Sequence, residues 1–112
     1  MKTHHMKLAP VPFGMIARGE KTCEARLYDE KRRQVNLGDT VIFSQIDDPA
    51  KTCEAKVVGL LRYETFGDMF AHVGAERFGG SSPESLAETM VEYYDQAKQD
   101  EYGVLGIELA LV

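Results

Sequence analysis

Positive charge is in short supply in this 112-residue sequence. Its 13 Lys and Arg stand against 18 Asp and Glu, for a net charge of -5 at pH 7. Tight binding to long nucleic acid rests on neutralising several phosphates. This chain has no global basic excess for that, so a nucleic-acid role needs a local basic patch or a pocket for one nucleotide. Long apolar runs are missing too. The longest, near the C-terminus, is far too short to cross a bilayer as a helix. Met1 to Leu8 holds no apolar signal core, and a cytosolic protein is the expectation. Cysteine is scarce. Cys23 and Cys53 give neither a disulfide framework nor metal-ligand spacing. In a cytosolic chain they read as small buried hydrophobes, with a regulatory disulfide or a catalytic thiol as alternatives. His4, His5 and His72 make no ligand set. No metal and no other cofactor is expected.

What is present suits one ordinary globular domain over residues 1–112, with 44% hydrophobic and 28% charged residues. That length buries roughly two-thirds of the unfolded surface. Residues 4 to 8 alternate weakly and predict a first strand. Pro12 suits a first helical turn, Phe13, Ile16 and Ala17 form a helical stripe, and Gly19 is the natural C-cap. Lys21 to Tyr28 predicts a strand with Cys23, Ala25 and Leu27 on one face and Thr22, Glu24, Arg26 and Tyr28 on the other. Asp29 to Arg32 is a polar turn, and Gln34 to Asn36 is read as a short strand. Thr40 to Ser44 follows as a strand, then a loop at Asp47-Asp48-Pro49. Lys51 to Arg62 is a long strand, bent at Gly59.

Thr65 and Asp68 mark a helix start, continued by Phe66, Met69, Phe70 and Val73 and stopped at Gly74. Ser82-Pro83 starts another helix, with Leu86, Met90, Tyr93, Tyr94 and Ala97 on its apolar face. Gln96 to Glu101 is only polar. Val104 to Val112 is a final strand, apolar on both faces except at Glu108, as in a strand buried on both sides. Glu108 is expected at an edge or paired with a cation. Strands and helices do not alternate as βαβ units would. The pattern predicts an α+β domain: a small, mostly antiparallel β-barrel of five to six strands with two to three flanking helices.

The chemistry concentrates at Lys21, Glu24 and Arg26. Glu24 and Arg26 are about 7 Å apart along one strand face. Arg26 offers a planar fork for a phosphate, a carboxylate or a base edge. Glu24 accepts from exocyclic amines or ring N–H groups, and Lys21, once desolvated, is a candidate base. Spacing alone leaves a second reading open, an exposed Glu24–Arg26 pair of little energetic weight. Lys51-Thr52-Cys53-Glu54-Ala55-Lys56 nearly repeats Lys21-Thr22-Cys23-Glu24-Ala25-Arg26, so alternating strands produce this look without a site. Arg18, Lys21, Arg26, Lys31, Arg32 and Arg33 also cluster in sequence, as a basic patch or a solvated turn.

Gly19-x-Lys21-x-x-Glu24-x-Arg26 resembles the G-x-K-x-x-E-x-R signature of the ASCH domain family. The resemblance extends over nearly the whole chain: His4-x-Met6-Lys7-Leu8, Pro12-Phe13, Arg26-Leu27-Tyr28-Asp29-Glu30-Lys31-Arg32, Val35-x-x-Gly38-Asp39-x-Val41-x-Phe43, and Tyr102-Gly103-Val104-Leu105-Gly106-Ile107-Glu108. These look like a small, single-domain bacterial and archaeal branch. The resemblance implies a PUA-like β-barrel and a cleft that binds RNA or a nucleotide-like ligand, bordered by Lys21, Glu24 and Arg26. One enzymatic branch deacetylates 4-acetylcytidine with the signature Lys, a Thr where this chain has Glu24, and a separate Glu, to which Glu76 is the nearest counterpart. Thr22 is close in sequence but out of position. A few ASCH proteins are ribonucleases, and no residue here is carried over from them.

Two functions follow. In the first, a cytoplasmic and monomeric module binds a nucleoside, a nucleotide or a short RNA through Lys21, Glu24 and Arg26, with Tyr28 or Tyr102 stacking on a base. In the second, an amidohydrolase acts on an acetylated cytidine or a related nucleoside, with Lys21 as base and Glu24 activating water. Glu24 at the threonine position puts binding before catalysis.

Overall fold

The computed structural model describes residues 1–112. Five strands form one mixed, curled sheet. In chain order these are β1 (Thr3–Leu8), β2 (Cys23–Leu27), β3 (Thr40–Gln45), β4 (Asp48–Tyr63) and β5 (Val104–Leu111). Their order in space is β1-β3-β4-β5-β2. Only β1 and β3 run parallel; the other pairs are antiparallel. The sheet curls into a half-barrel, consistent with a PUA-like fold. It does not close by strand pairing, because β1 and β2 are its two ends. The mostly antiparallel α+β architecture is the expected one, with an open seam between β1 and β2 in place of a closed barrel.

The parallel register of β1 and β3 is pinned by Asp39, which is almost fully buried. Its carboxylate accepts from the backbone N–H groups of Lys2 (3.1 Å) and Asn36 (2.9 Å) and lies 2.8 Å from His4 Nε2. These bonds hold the Asp39 carboxyl down at about 2. Thr40 then donates to the Lys2 carbonyl (3.0 Å), and Thr3 stands opposite Thr40.

Four helices flank the sheet, against two or three expected: α1 (Pro10–Ala17), α2 (Phe66–Val73), α3 (Pro83–Tyr93) and α4 (Gln96–Tyr102). The additional one is α4, which has no apolar stripe to betray it. It is held by an Asp95 cap that accepts from Lys98 N (2.9 Å). It also buries one polar side chain, Gln99, which accepts from Phe66 N (3.4 Å) and donates to the Tyr94 carbonyl (3.4 Å). The strand expected at Gln34 to Asn36 is instead a 3-10 turn over Arg32–Gln34. Asp29 nucleates it by accepting from Arg32 N through its carboxylate (3.1 Å) and from Arg33 N through its carbonyl (2.9 Å). None of the four helices is long and apolar enough to cross a membrane.

Two apolar cores lie on the two faces of the sheet. Inside the curl, Met6 and Leu8 of β1 meet Val41 and Phe43 of β3 and Leu105 and Ile107 of β5. On the outer face, Cys23, Ala25 and Leu27 of β2 pack with Phe66, Met69 and Phe70 of α2. Burial pushes the Cys23 thiol up, as it does the half-buried Cys53. Both cysteines are free.

Candidate functional site

The site begins where α1 ends. Gly19 takes φ +76°, a left-handed conformation that glycine adopts without Cβ strain. Gly19 N donates to the Ile16 carbonyl (3.0 Å) and Glu20 N to the Met15 carbonyl (2.8 Å). This is a Schellman closure. It reverses the chain at once and sets Lys21 at the entrance to β2, with its own N–H bonded to the Met15 carbonyl (3.1 Å).

Strand β2 then does something unusual for an end strand: it buries both faces. Cys23, Ala25 and Leu27 face the outer core. Glu24 stands opposite Ile107 and Arg26 opposite Leu105, so both face the inside of the half-barrel. Glu24 is 3% exposed. Its Oε1 lies 2.9 Å from Lys21 Nζ, and its Oε2 lies 2.7 Å from the Arg26 fork, through both Nε and Nη2. Burial alone would raise the Glu24 carboxyl, but the charges of Lys21 and Arg26 outweigh it and hold the pKa below its ordinary value. Arg26 moves the other way. Its burial opposes the charge, yet Glu24, and then Tyr94 beside it, raise its pKa.

Arg26 also reaches across the open seam. Its Nη2 donates to the Lys7 carbonyl of β1 (3.0 Å). Where a closed barrel would have a strand ladder, this half-barrel has an ionic clamp. The clamp forms the floor of a cavity of about 360 Å³. Met15, Phe78, Leu86, Met90 and Tyr94 are among its walls. Three rim residues are largely exposed: Val11, Ile46 and Tyr93. A mostly apolar concavity with a few convergent polar groups is the usual form of a small-ligand site.

The residues expected to share this site divide. Lys21, Glu24 and Arg26 come together. Tyr28 sits one pair further along the same strand face, outside the cavity, and its ring carries the guanidinium carbons of Arg62 (3.9 Å) and Arg33 (4.9 Å). Tyr102 lines a second, open cleft together with Arg33 and Arg62. Thr22 is turned to Arg77, whose Nε donates to its hydroxyl (3.4 Å). Glu76 is exposed and lines neither cavity. Glu108 is paired, its Oε2 2.7 Å from Arg77. Sequence reasoning missed the Lys7 carbonyl, Met15 and the α3 wall. Met90 and Tyr94 were visible as an apolar helix face, but nothing in the sequence said that this face covers Lys21 and Arg26.

The near-repeat at Lys51 to Lys56 resolves the ambiguity of spacing. There Thr52, Glu54 and Lys56 are exposed, while in the first copy the matching Glu24 and Arg26 are enclosed. The same alternation lies at mid-sheet in one case and at the seam in the other.

Among families, the model described as ASCH domain matches residues 6–112. Among solved structures, the hypothetical protein PH0355 is 35% identical, with each chain covered in full and a TM-score of 0.88. Protein PF0455 of Pyrococcus furiosus is 31% identical over 98% of this chain and 97% of that one, with a TM-score of 0.77. The ASCH protein of Zymomonas mobilis is 14% identical over 96% of this chain and 66% of that one, at a TM-score of 0.67, a likeness of fold alone. No curated protein matches the chain.

Proposed function

The chain belongs to the ASCH domain family, and on that premise we propose that its seam cavity binds a nucleoside, a nucleotide or the exposed end of a short RNA. The observation that carries this reading is the occupancy of Glu24. Both of its oxygens already accept from Lys21 and Arg26. Glu24 therefore acts as the post that orients two cations, and with its pKa held below the ordinary value by them it is a weak base toward water. Lys21 and Arg26 keep donors to offer. An ammonium has three and a guanidinium five; Lys21 gives one to Glu24, and Arg26 directs Nε and Nη2 to Glu24 and the Lys7 carbonyl, with Tyr94 beside the fork. Fixed cationic donors at the base of an apolar cavity suit a carbonyl edge or a phosphate oxygen of a ligand whose flat ring lies against the walls. Tyr94 and Tyr93 supply aromatic surface there. The acidic balance of the chain favours a small ligand over long RNA.

Titration calorimetry with cytidine, cytidine 5′-monophosphate and a single-stranded RNA pentamer tests the reading. Saturable binding of at least one is expected, weakened about tenfold or more in Arg26→Ala, the scale of a lost charge-assisted hydrogen bond. Arg26→Lys, which keeps the charge but loses the fork, should bind weakly while folding normally. Incubation with 4-acetylcytidine is the opposing arm. Release of cytidine that stops in Lys21→Ala would replace the binding reading with the hydrolase one.

A further inference from the structure

Away from the seam cavity, the structure gathers two arginines at one tyrosine ring, neither of them in a direct ion pair. Arg62, exposed on β4, places its guanidinium carbon 3.9 Å from the centroid of the Tyr28 ring, and Arg33, exposed at the 3-10 turn, places its own at 4.9 Å. Neither belongs to any of the ion pairs of the protein. Arg33 spends one donor on the Tyr28 carbonyl (3.1 Å), and the Arg62 guanidinium makes no hydrogen bond within the protein. Two like charges at one ring repel, and stacking offsets this only in part. In a chain with five more acids than bases, two neighbouring arginines that make no direct ion pair leave their forks open to an added anion. The same turn is short of acceptors elsewhere: Arg32 uses Nη1 on Asp29, and its Nε is buried without a partner.

Arg33 and Arg62 open onto the cleft that Tyr102 and Gln99 also line. We propose that this cleft is a second ligand site, separate from the seam cavity, that takes a single phosphate group between the Arg33 and Arg62 guanidiniums. Planar forks match phosphate oxygens, and stacking on Tyr28 orients them in advance. Glu64, Asp100 and Glu101 line the same cleft. Those carboxylates repel a run of phosphates, so the site accepts one phosphate and not a polyanion track. The phosphate comes either as a free or terminal phosphomonoester or as one phosphodiester of a single strand.

The test follows the side-chain Nε–Hε signals of Arg33 and Arg62 by NMR during titration with inorganic phosphate, with sodium chloride at matched ionic strength as control. Saturable shifts at both, absent with chloride, are expected, and in Arg62→Ala the shift at Arg33 should need about fivefold more phosphate to saturate. Pentauridylate with and without a 5′-phosphate separates the two sources. Preference for the 5′-phosphorylated form assigns a terminal phosphate; equal binding assigns a backbone phosphodiester. In either case Arg62→Ala and Arg33→Ala should each weaken binding about fivefold, and the double variant should reduce the salt slope by about 0.7, the share of one single-strand phosphate contact. Both residues are exposed, so unchanged melting of the variants is expected and guards against misfolding. No shift beyond that with chloride overturns the proposal. So does phosphate binding lost in Arg26→Ala but intact in Arg62→Ala, which would assign the anion to the seam cavity.

Discussion

Taking the Glu24 carboxylate out of water costs several kcal/mol, and only close, hydrogen-bonded cations offset such a cost. Lys21 and Arg26 supply that offset from the same short segment. Removing the charge leaves two enclosed cations facing each other. Glu24→Gln should therefore cost about 3–5 kcal/mol of stability at pH 7, measured by urea unfolding. The sign of the pH dependence follows from the lowered pKa. The stabilisation is present above the ordinary value of 4.5 and is lost as pH falls through the folded value. The gap between wild type and Glu24→Gln should narrow steadily below about pH 4.5; a gap that stays constant to pH 3 contradicts this account of the clamp. Asp39 acts in the same direction, its contribution fading between 3.8 and about 2. The identities of Lys21, Glu24 and Arg26 were legible in the sequence through their spacing after Gly19 and their likeness to the family signature. The saturation of Glu24 was not, because it depends on the rotamers of two long side chains closing on one carboxylate.

Strand β4 shows what spacing does and does not reveal about an element. Its bend was legible from Gly59, and the register of β4 against β5 does shift between Val57 and Gly59. The reason for glycine was hidden. A Cβ at residue 59 would stand 2.0 Å from Glu108 Oε1 and 2.7 Å from its Cδ. The Glu108 side chain lies over the bulge on its way to Arg77. Gly59→Ala should push Glu108 off Arg77 and cost about 1 kcal/mol, as expected for crowding plus a half-exposed ion pair. In a Glu108→Ala background the same substitution should cost almost nothing, a coupling that a double-mutant cycle measures directly. Equal costs in both backgrounds would place the strain in the backbone instead. Helix α4 is the opposite case. No hydrophobic period announces Gln96 to Tyr102, and its existence rests on the Asp95 cap and on Gln99 bonding to Phe66 and Tyr94. Tyr94 is a local partner, but Phe66, 33 residues away in sequence, becomes a neighbour only through tertiary packing.

At the scale of the whole molecule, the half-barrel leaves the outer edges of β1 and β2 open to each other and bridges them through the Arg26 side chain. An open edge is ordinarily a liability. Here Arg26 reaches the Lys7 carbonyl, and α1 and α3 wall the gap into a cavity. Fold class and mostly antiparallel pairing were legible from strand lengths and from the lack of βαβ alternation. The seam was not, because no local pattern states which two strands fail to meet. The central claim is that this seam is where a nucleoside-type ligand sits. Methyl-13C methionine labelling tests it most directly, since four of the five methionines divide cleanly and the fifth, Met1, is exposed. Met15 and Met90 line the cavity, while Met6 and Met69 are buried in the inner and outer cores. On titration with cytidine 5′-monophosphate, the Met15 and Met90 methyl signals should shift saturably, Met6 and Met69 should stay in place, and Arg26→Ala should abolish the effect. Saturable binding that leaves Met15 and Met90 unmoved would contradict the account.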